Sequence, residues 1–254
     1  MLEVLDIKKS FGGVQALRGC SLSILQGTIT GLIGPNGAGK TTLFNIVSGI
    51  LKPDRGEVRF NGQRIDGLPS HLISKKGLLR TFQIPRALHR MTVMENLLLY
   101  PKEQIGESLW TNLFRYRWIL RQEKEIQERA KEILEFVNLF PLRNAYAMEL
   151  SGGQKKLLEL ARVLMAAPRV ILLDEPGAGV NPTLMNELIK RIQQLQGKGI
   201  TFLLIEHDMD LVLKLCDPVI VMTEGKKLTE GSFLEIRRDR RVLEAYLGKR
   251  QWDF

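Results

Sequence analysis

The stretch Gly34-Pro35-Asn36-Gly37-Ala38-Gly39-Lys40-Thr41-Thr42 directly follows a β-rich run, Thr28–Ile33. It fits the phosphate-loop pattern G-x-x-x-x-G-K-[ST], and the strand before it supplies the context that pattern needs. Glycines let backbone N–H groups turn inward around phosphate oxygens. The helix predicted from Gly39 to about Gly49 adds unpaired N–H groups and the positive end of its dipole. Lys40 is placed to reach the β- and γ-phosphates of a nucleotide, and the Thr41 hydroxyl to hold magnesium. Strand, glycine-rich loop and helix in this order predict an α/β nucleotide-binding fold.

The flanking sequence extends that pattern. Residues 1–33 read as strands with turns at Phe11-Gly12-Gly13 and Gln26-Gly27. Glu57–Ile65 alternates, with Val58 and Phe60 on one face and Asn61-Gly62 as a turn, which is a strand signal. These strands predict a mixed sheet. From about Pro85 to Pro168 the pattern turns helical. Thr92-Val93-Met94-Glu95 reads as a capping box opening a helix through Tyr100. Gln122–Asn138 repeats apolar residues at Ile126, Ala130, Ile133, Leu134 and Val137, a helical spacing. Ser151–Ala167 reads as a further helix stopped by Pro168.

Past Pro168 the α/β alternation resumes. Val170–Leu173 is wholly apolar, as a buried central strand must be. Asn181-Pro182 opens a helix whose apolar stripe includes Leu184, Leu188, Ile192 and Leu195. Pro fits the first helical position because its missing N–H would be unpaired there anyway. Thr201–Ile205 and Val219–Met222 read as strands with a helix, Asp208–Cys216, between them, which implies a parallel crossover. The predicted organisation is an α/β core from 1–84 and 168–254, with an inserted helical subdomain at 85–167.

Composition limits the function. The 254 residues suit one α/β domain with an insert, or two small domains. The longest uninterrupted aliphatic runs are about five residues, as in Val163–Ala167, whereas a membrane-spanning helix needs roughly twenty. The opening MLEVLDIKKS lacks the apolar stretch of a secretion signal. Cys20 and Cys216 lack metal-ligand spacing and read as packed thiols, which suits the cytosol. The net charge of +9 is dispersed. Modest basic clusters lie at Lys75–Arg90, Arg115–Lys131 and Arg237–Arg250, without the aromatic-basic motifs of nucleic-acid binders. No nucleic acid partner is expected; a place beside a membrane is.

Two further motifs carry chemistry. Asp174-Glu175 ends the apolar strand, and the carboxyl ends of parallel strands are where such sheets hold ligands. Asp174 is placed to bind magnesium, and Glu175 to orient or deprotonate an attacking water. The segment Leu150-Ser151-Gly152-Gly153-Gln154 has a capping box in Ser151 and Gln154. The box leaves the two glycines unexplained, since both cost helix stability. A close approach to the backbone would explain them, and a phosphate at a second helix N-terminus is the predicted visitor.

The order of GPNGAGKTT, LSGGQ and ILLDEP resembles the ATP-binding cassette family over essentially the whole chain. The resemblance implies an ATPase that uses ATP and Mg2+, and two cassettes, identical or related, meeting head to tail around each ATP. It implies that Ser151, Gly152, Gly153 and Gln154 complete the partner's phosphate site. By the same resemblance Phe11 stacks on adenine, Gln83 senses magnesium and the γ-phosphate, and His207 is the switch histidine. Many cassettes carry aspartate where Asn181 stands.

Finer resemblance points to uptake of branched-chain or other hydrophobic amino acids. Gly177-Ala178-Gly179-Val180-Asn181-Pro182, Arg80-Thr81-Phe82-Gln83-Ile84-Pro85-Arg86, Ile205-Glu206-His207-Asp208-Met209 and the ending from Glu235 to Gly248 are similar to that branch. The implied partners are a second cassette subunit, two transmembrane permease subunits and, indirectly, a substrate-binding protein. The implied location is the cytoplasmic face of the cell membrane. Lipid or lipopolysaccharide exporters have similar cassettes. Non-transport cassettes of translation carry two cassettes per chain and those of DNA repair carry a long coiled coil, and both patterns are absent from this sequence. Trp110, Phe114, Tyr116 and Trp118 lie amid arginines. They read either as a helical hairpin burying its own aromatics or as a surface for permease loops.

Overall fold

Ile29–Ile33 is buried at every position, because it becomes an interior strand with neighbours on both sides. The computed structural model describes residues 1–81, 89–100 and 116–247. Its strands are β1 (Leu2–Phe11), β2 (Val14–Ile24), β3 (Ile29–Ile33), β4 (Arg55–Phe60), β5 (Gln63–Arg64), β6 (Leu78–Arg80), β7 (Val170–Asp174), β8 (Thr201–Ile205), β9 (Val219–Thr223) and β10 (Lys226–Gly231). They form two sheets, of which the larger is the mixed sheet that the sequence suggests. One is antiparallel, in the order β2-β1-β4-β5; the other has the order β10-β9-β3-β8-β7-β6. In the second, β3 runs parallel to β8 and β9, and β7 runs parallel to β6 and β8. Only β10 is antiparallel there, on an edge, a common finish for an otherwise parallel sheet. The crossover from β8 to β9 is parallel, as predicted, but it spans β3, which lies between the two strands.

The helices are α1 (Lys40–Val47), α2 (Ser70–Lys75), α3 (Val93–Leu98), α4 (Tyr116–Phe136), α5 (Gly152–Met165), α6 (Pro182–Gly197), α7 (Met209–Leu215), α8 (Phe233–Arg238) and α9 (Arg240–Leu247). Their ends follow local chemistry. Thr92 and Glu95 form the predicted capping box of α3, and Ser151 and Gln154 that of α5. Asn138 and Ala167 take left-handed backbone beyond α4 and α5, a conformation that stops a helix.

The chain divides into two compact units. One comprises Met1–Arg80, Arg169–Ala178 and Ile192–Phe254; the other comprises Thr81–Pro168 and Gly179–Arg191. The helical unit therefore takes in the first part of α6 as well as the predicted insert. In the first unit, the buried faces of both sheets and α1 form a continuous apolar core that includes Leu2, Phe44, Phe60 and Leu203. In the second, Ala130, Leu134 and Val137 are fully buried, as the helical spacing of α4 requires. Cys20 and Cys216 are free and buried. Burial pushes their thiols up to about 11 and about 12, so both are protonated packing groups.

Candidate nucleotide site

The loop between β3 and α1 is shaped by close backbone packing. Gly39 is the N-cap of α1 and is left-handed, with no side-chain cap and no acidic residue in the first turn. A Cβ on Gly39 would lie 2.6 Å from the Ala16 carbonyl oxygen of β2. Gly225, in the β9–β10 turn, faces the same oxygen, where a Cβ would lie at 2.7 Å. The Gly225 N–H also donates to the Ala38 carbonyl at 3.1 Å. Two chain turns thus close on one carbonyl and fix the loop from behind. On its other side Asn36, Gly37 and Thr41 are exposed, and Thr42 is half-buried. An uncapped helix start with no competing acid suits an anionic phosphate.

Lys40 is buried, and its ammonium donates to the carbonyls of Gly34 at 2.6 Å and Pro35 at 3.1 Å. Burial lowers its pKa, and the nearby charges of Glu175 and then Asp174 oppose that shift. Those carboxylates arrive by register. Ile205 of β8 pairs with Leu32 of β3 on one side and with Asp174 of β7 on the other. The carboxyl ends of three parallel strands are therefore level, and each hands its next residues to the same place. Glu175 turns out of the strand with φ 47°, while its N–H donates to the Ile205 carbonyl at 2.9 Å. Its Oε1 lies 3.1 Å from Nε2 of His207, and both side chains are about half exposed.

Magnesium fits this donor set. It prefers oxygen ligands and keeps several waters, so it needs only one or two protein ligands beside substrate phosphates. The Asp174 carboxylate and the Thr41 hydroxyl are oxygen donors of that kind. Among the described residues, no group of three or more His, Cys, Asp or Glu could hold a metal ion alone. Gln83 lies outside the described residues, as do Trp110 and Phe114.

Three residues near the site have no role in the sequence reading. Glu206 is buried, and Oε1 accepts the Gly177 N–H at 2.7 Å. Its Oε2 accepts the N–H groups of His207 at 3.0 Å and Asp208 at 3.4 Å. It binds the turn after Glu175 to the turn that carries His207. Arg80, at the end of β6, donates to Asp174 at 2.6 Å. Burial pushes the Tyr246 phenol above its ordinary range, opposed by a backbone hydrogen bond from Gly34. The links from Glu206 to Gly177, Arg80 to Asp174 and Tyr246 to Gly34 join residues far apart in sequence, so only the charged or aromatic residue type could have drawn attention to them.

Phe11 ends β1 and is 48% exposed, which leaves an aromatic face available for stacking and rules out a core role. Lys9 Nζ lies 5.6 Å from its ring centroid. Ser151, Gly152, Gly153 and Gln154 begin α5 in the helical unit. Ser151 and Gly152 are exposed, but Gly153 is buried. A Cβ on Gly153 would lie 2.5 Å from Leu184 Cδ1. The close visitor at that glycine is thus a leucine of the same unit, and a Cβ on Gly152 would itself lie 3.0 Å from the Gly179 carbonyl oxygen. Asn181 caps α6, its Oδ1 accepting the Leu184 N–H at 2.9 Å.

Comparison with known proteins adds family relationships. The family described as ABC transporter matches residues 17–178, and one described as branched-chain amino acid ATP-binding cassette transporter matches residues 226–250. The probable branched-chain amino acid transport ATP-binding protein LivG of Archaeoglobus fulgidus is 44% identical over 248 residues, 98% of this chain and 95% of its own. The high-affinity branched-chain amino acid transport ATP-binding protein BraF of Pseudomonas aeruginosa is 41% identical over 250 residues, 98% of each. The crystal structure of a nucleotide-free ATP-binding cassette from an ABC transporter superimposes with a TM-score of 0.86. It is 42% identical, covering 98% of this chain and 99% of its own.

Proposed function

The chain belongs to the ATP-binding cassette transporter family, in its branched-chain amino acid branch, and on that premise we propose that it works as one half of a head-to-tail ATPase pair. The pair lies on the cytoplasmic face of the cell membrane. It drives two permease subunits that receive branched-chain or other hydrophobic amino acids from a substrate-binding protein. The observation that carries this reading is the meeting of Lys40, Asp174, Glu175 and His207 at the level carboxyl ends of β3, β7 and β8.

The chemistry follows from that meeting. Loop amides from Gly34 to Thr42 and the Lys40 ammonium bind the β- and γ-phosphates, and Phe11 stacks on adenine. Thr41, Asp174 and Gln83 would hold magnesium. Magnesium, when bound, neutralises charge on the phosphates. Glu175 orients the attacking water and takes its proton. His207 holds the γ-phosphate and, from 3.1 Å, keeps the Glu175 carboxylate aimed. Ser151, Gly152, Gly153 and Gln154 of the second subunit close the site from the far side. Closure on ATP and opening after hydrolysis move the permeases between two states.

Purification of the tagged chain from its native membranes tests the reading. The expected companions are hydrophobic permease subunits. The assembly, reconstituted in vesicles with its binding protein, should take up leucine, isoleucine or valine only with ATP. Companions from lipid export, ribosomes or DNA ends would overturn it.

A further inference from the structure

Arg80 is the last residue of β6, paired in parallel with Leu172 of β7. Its side chain is only 9% exposed. One arm of the guanidinium donates to Asp174 Oδ2 at 2.6 Å. The other donates to Asn45 Oδ1 at 2.6 Å and reaches Ser48 Oγ at 3.4 Å. Its Cζ lies 5.6 Å from the centroid of the Phe44 ring. Asn45 and Phe44 are on α1, the helix that starts in the phosphate loop. A single desolvated cation thus ties that helix to the carboxylate at the end of β7. An arginine keeps its charge under all ordinary conditions, and its fork matches a carboxylate.

We infer that Arg80 is the resident counterion of Asp174 and competes with magnesium for that carboxylate. This rests on the reading of Asp174 as a magnesium ligand. A divalent cation approaching Asp174 meets an oxygen already engaged and a fixed positive charge beside it. Asn45 and Phe44 hold the guanidinium close even when the carboxylate turns toward the metal. Arg80 is therefore a positioning residue that sets how much magnesium the nucleotide site needs. It does so from outside both the phosphate loop and the acidic pair.

The test is ADP binding by the purified full chain, titrated at a series of Mg2+ concentrations. The readout is the Mg2+ concentration at half-effect. Arg80→Gln should lower it roughly tenfold, the scale of one close unit charge partly screened by solvent. Arg80→Lys keeps a charge but loses the fork, and should lower it about threefold. If Arg80→Gln does not fold, Arg80→Lys decides alone. An unchanged or raised half-effect concentration overturns the inference. Asp174→Asn is the control on the premise: it should remove most of the Mg2+ dependence. If it does not, the reading of Asp174 fails, independently of Arg80.

Discussion

Nε2 of His207 lies 3.1 Å from Oε1 of Glu175, with both side chains about half exposed. The two residues come from the ends of neighbouring parallel strands and meet only because Asp174 and Ile205 are in register. Each can orient the other, and water can reach both.

Glu175→Gln keeps the size of this side chain and removes its charge. ATP should still bind and closed dimers should accumulate. Turnover should fall about 10²–10⁴-fold, roughly 3–5 kcal/mol in the barrier, the usual loss for a general base. Steady-state ATPase and nucleotide titration check it. Turnover within about twofold of the parent would remove Glu175 from the mechanism.

Lys40→Ala removes a buried ammonium that now bridges the Gly34 and Pro35 carbonyls. Because the cation serves both bound ATP and the transition state, affinity and turnover should fall together. Affinity should drop at least about tenfold, the value of a charged hydrogen bond. Isothermal titration of the purified variant is the measurement, and unaltered affinity would contradict the phosphate-loop assignment.

Trans action of the segment Ser151–Gln154 can be separated from cis action by mixing subunits. One subunit carries Lys40→Ala and the other Ser151→Arg, in which the arginine fills the space beside Gly152. Head-to-tail pairing puts both defects in one composite site and leaves the other intact. Mixtures should recover some ATPase that neither variant shows alone. No recovery from verified mixed dimers would count against an independent trans site. If the native partner is a related chain, the mixture must contain that chain.

Gly153→Ala separates packing from phosphate contact at the same segment. The new Cβ would press on Leu184, an overpacking that costs about 1–3 kcal/mol. Thermal denaturation should show the loss, and Leu184→Ala should restore part of it. Failure of that rescue would mean that Leu184 is not what excludes a side chain.

Glu206 has its pKa raised, chiefly by burial, against three backbone N–H groups that favour the charged form. Below the ordinary glutamate value of 4.5 the folded and unfolded chains are both protonated there, and Glu206 contributes no pH dependence. Above it the unfolded chain releases its proton first. The folded state then holds more protons, so stability falls as pH rises until the raised pKa is passed. Denaturant titrations across that window should show the slope in the parent and its loss in Glu206→Gln. The variant should also lose ATPase activity as the Gly177 and His207 turns separate.

Much of the site was legible because its signals are local. The glycine spacing before Lys40, the aliphatic run before Asp174 and the strand before Glu206-His207 each announce a strand end and its loop. The capping boxes at Thr92 and Ser151 are equally local. What escaped depends on distance. Strand β6 has only three residues, too few for an alternating pattern, and it takes its conformation from β7. The bond from Arg80 to Asp174 joins residues 94 positions apart. Gly153 looked like an opening for a ligand, whereas Leu184 fills it. The grouping of 179–191 with the helical unit follows from packing that no single segment displays.

The Ala16 carbonyl has a consequence for tolerance of natural variation. By position alone, Gly225 is the tip of a β9–β10 turn, a place where substitutions usually pass unnoticed. It nevertheless presses on the same oxygen as Gly39. An inherited change at Gly225 would therefore present as a failure to hold nucleotide, far along the chain from any residue that touches one. Ala16 should accept most side chains of similar shape, because only its backbone is used. Substitution in this chain should thus be constrained at a loop tip and permitted at the strand residue it leans on.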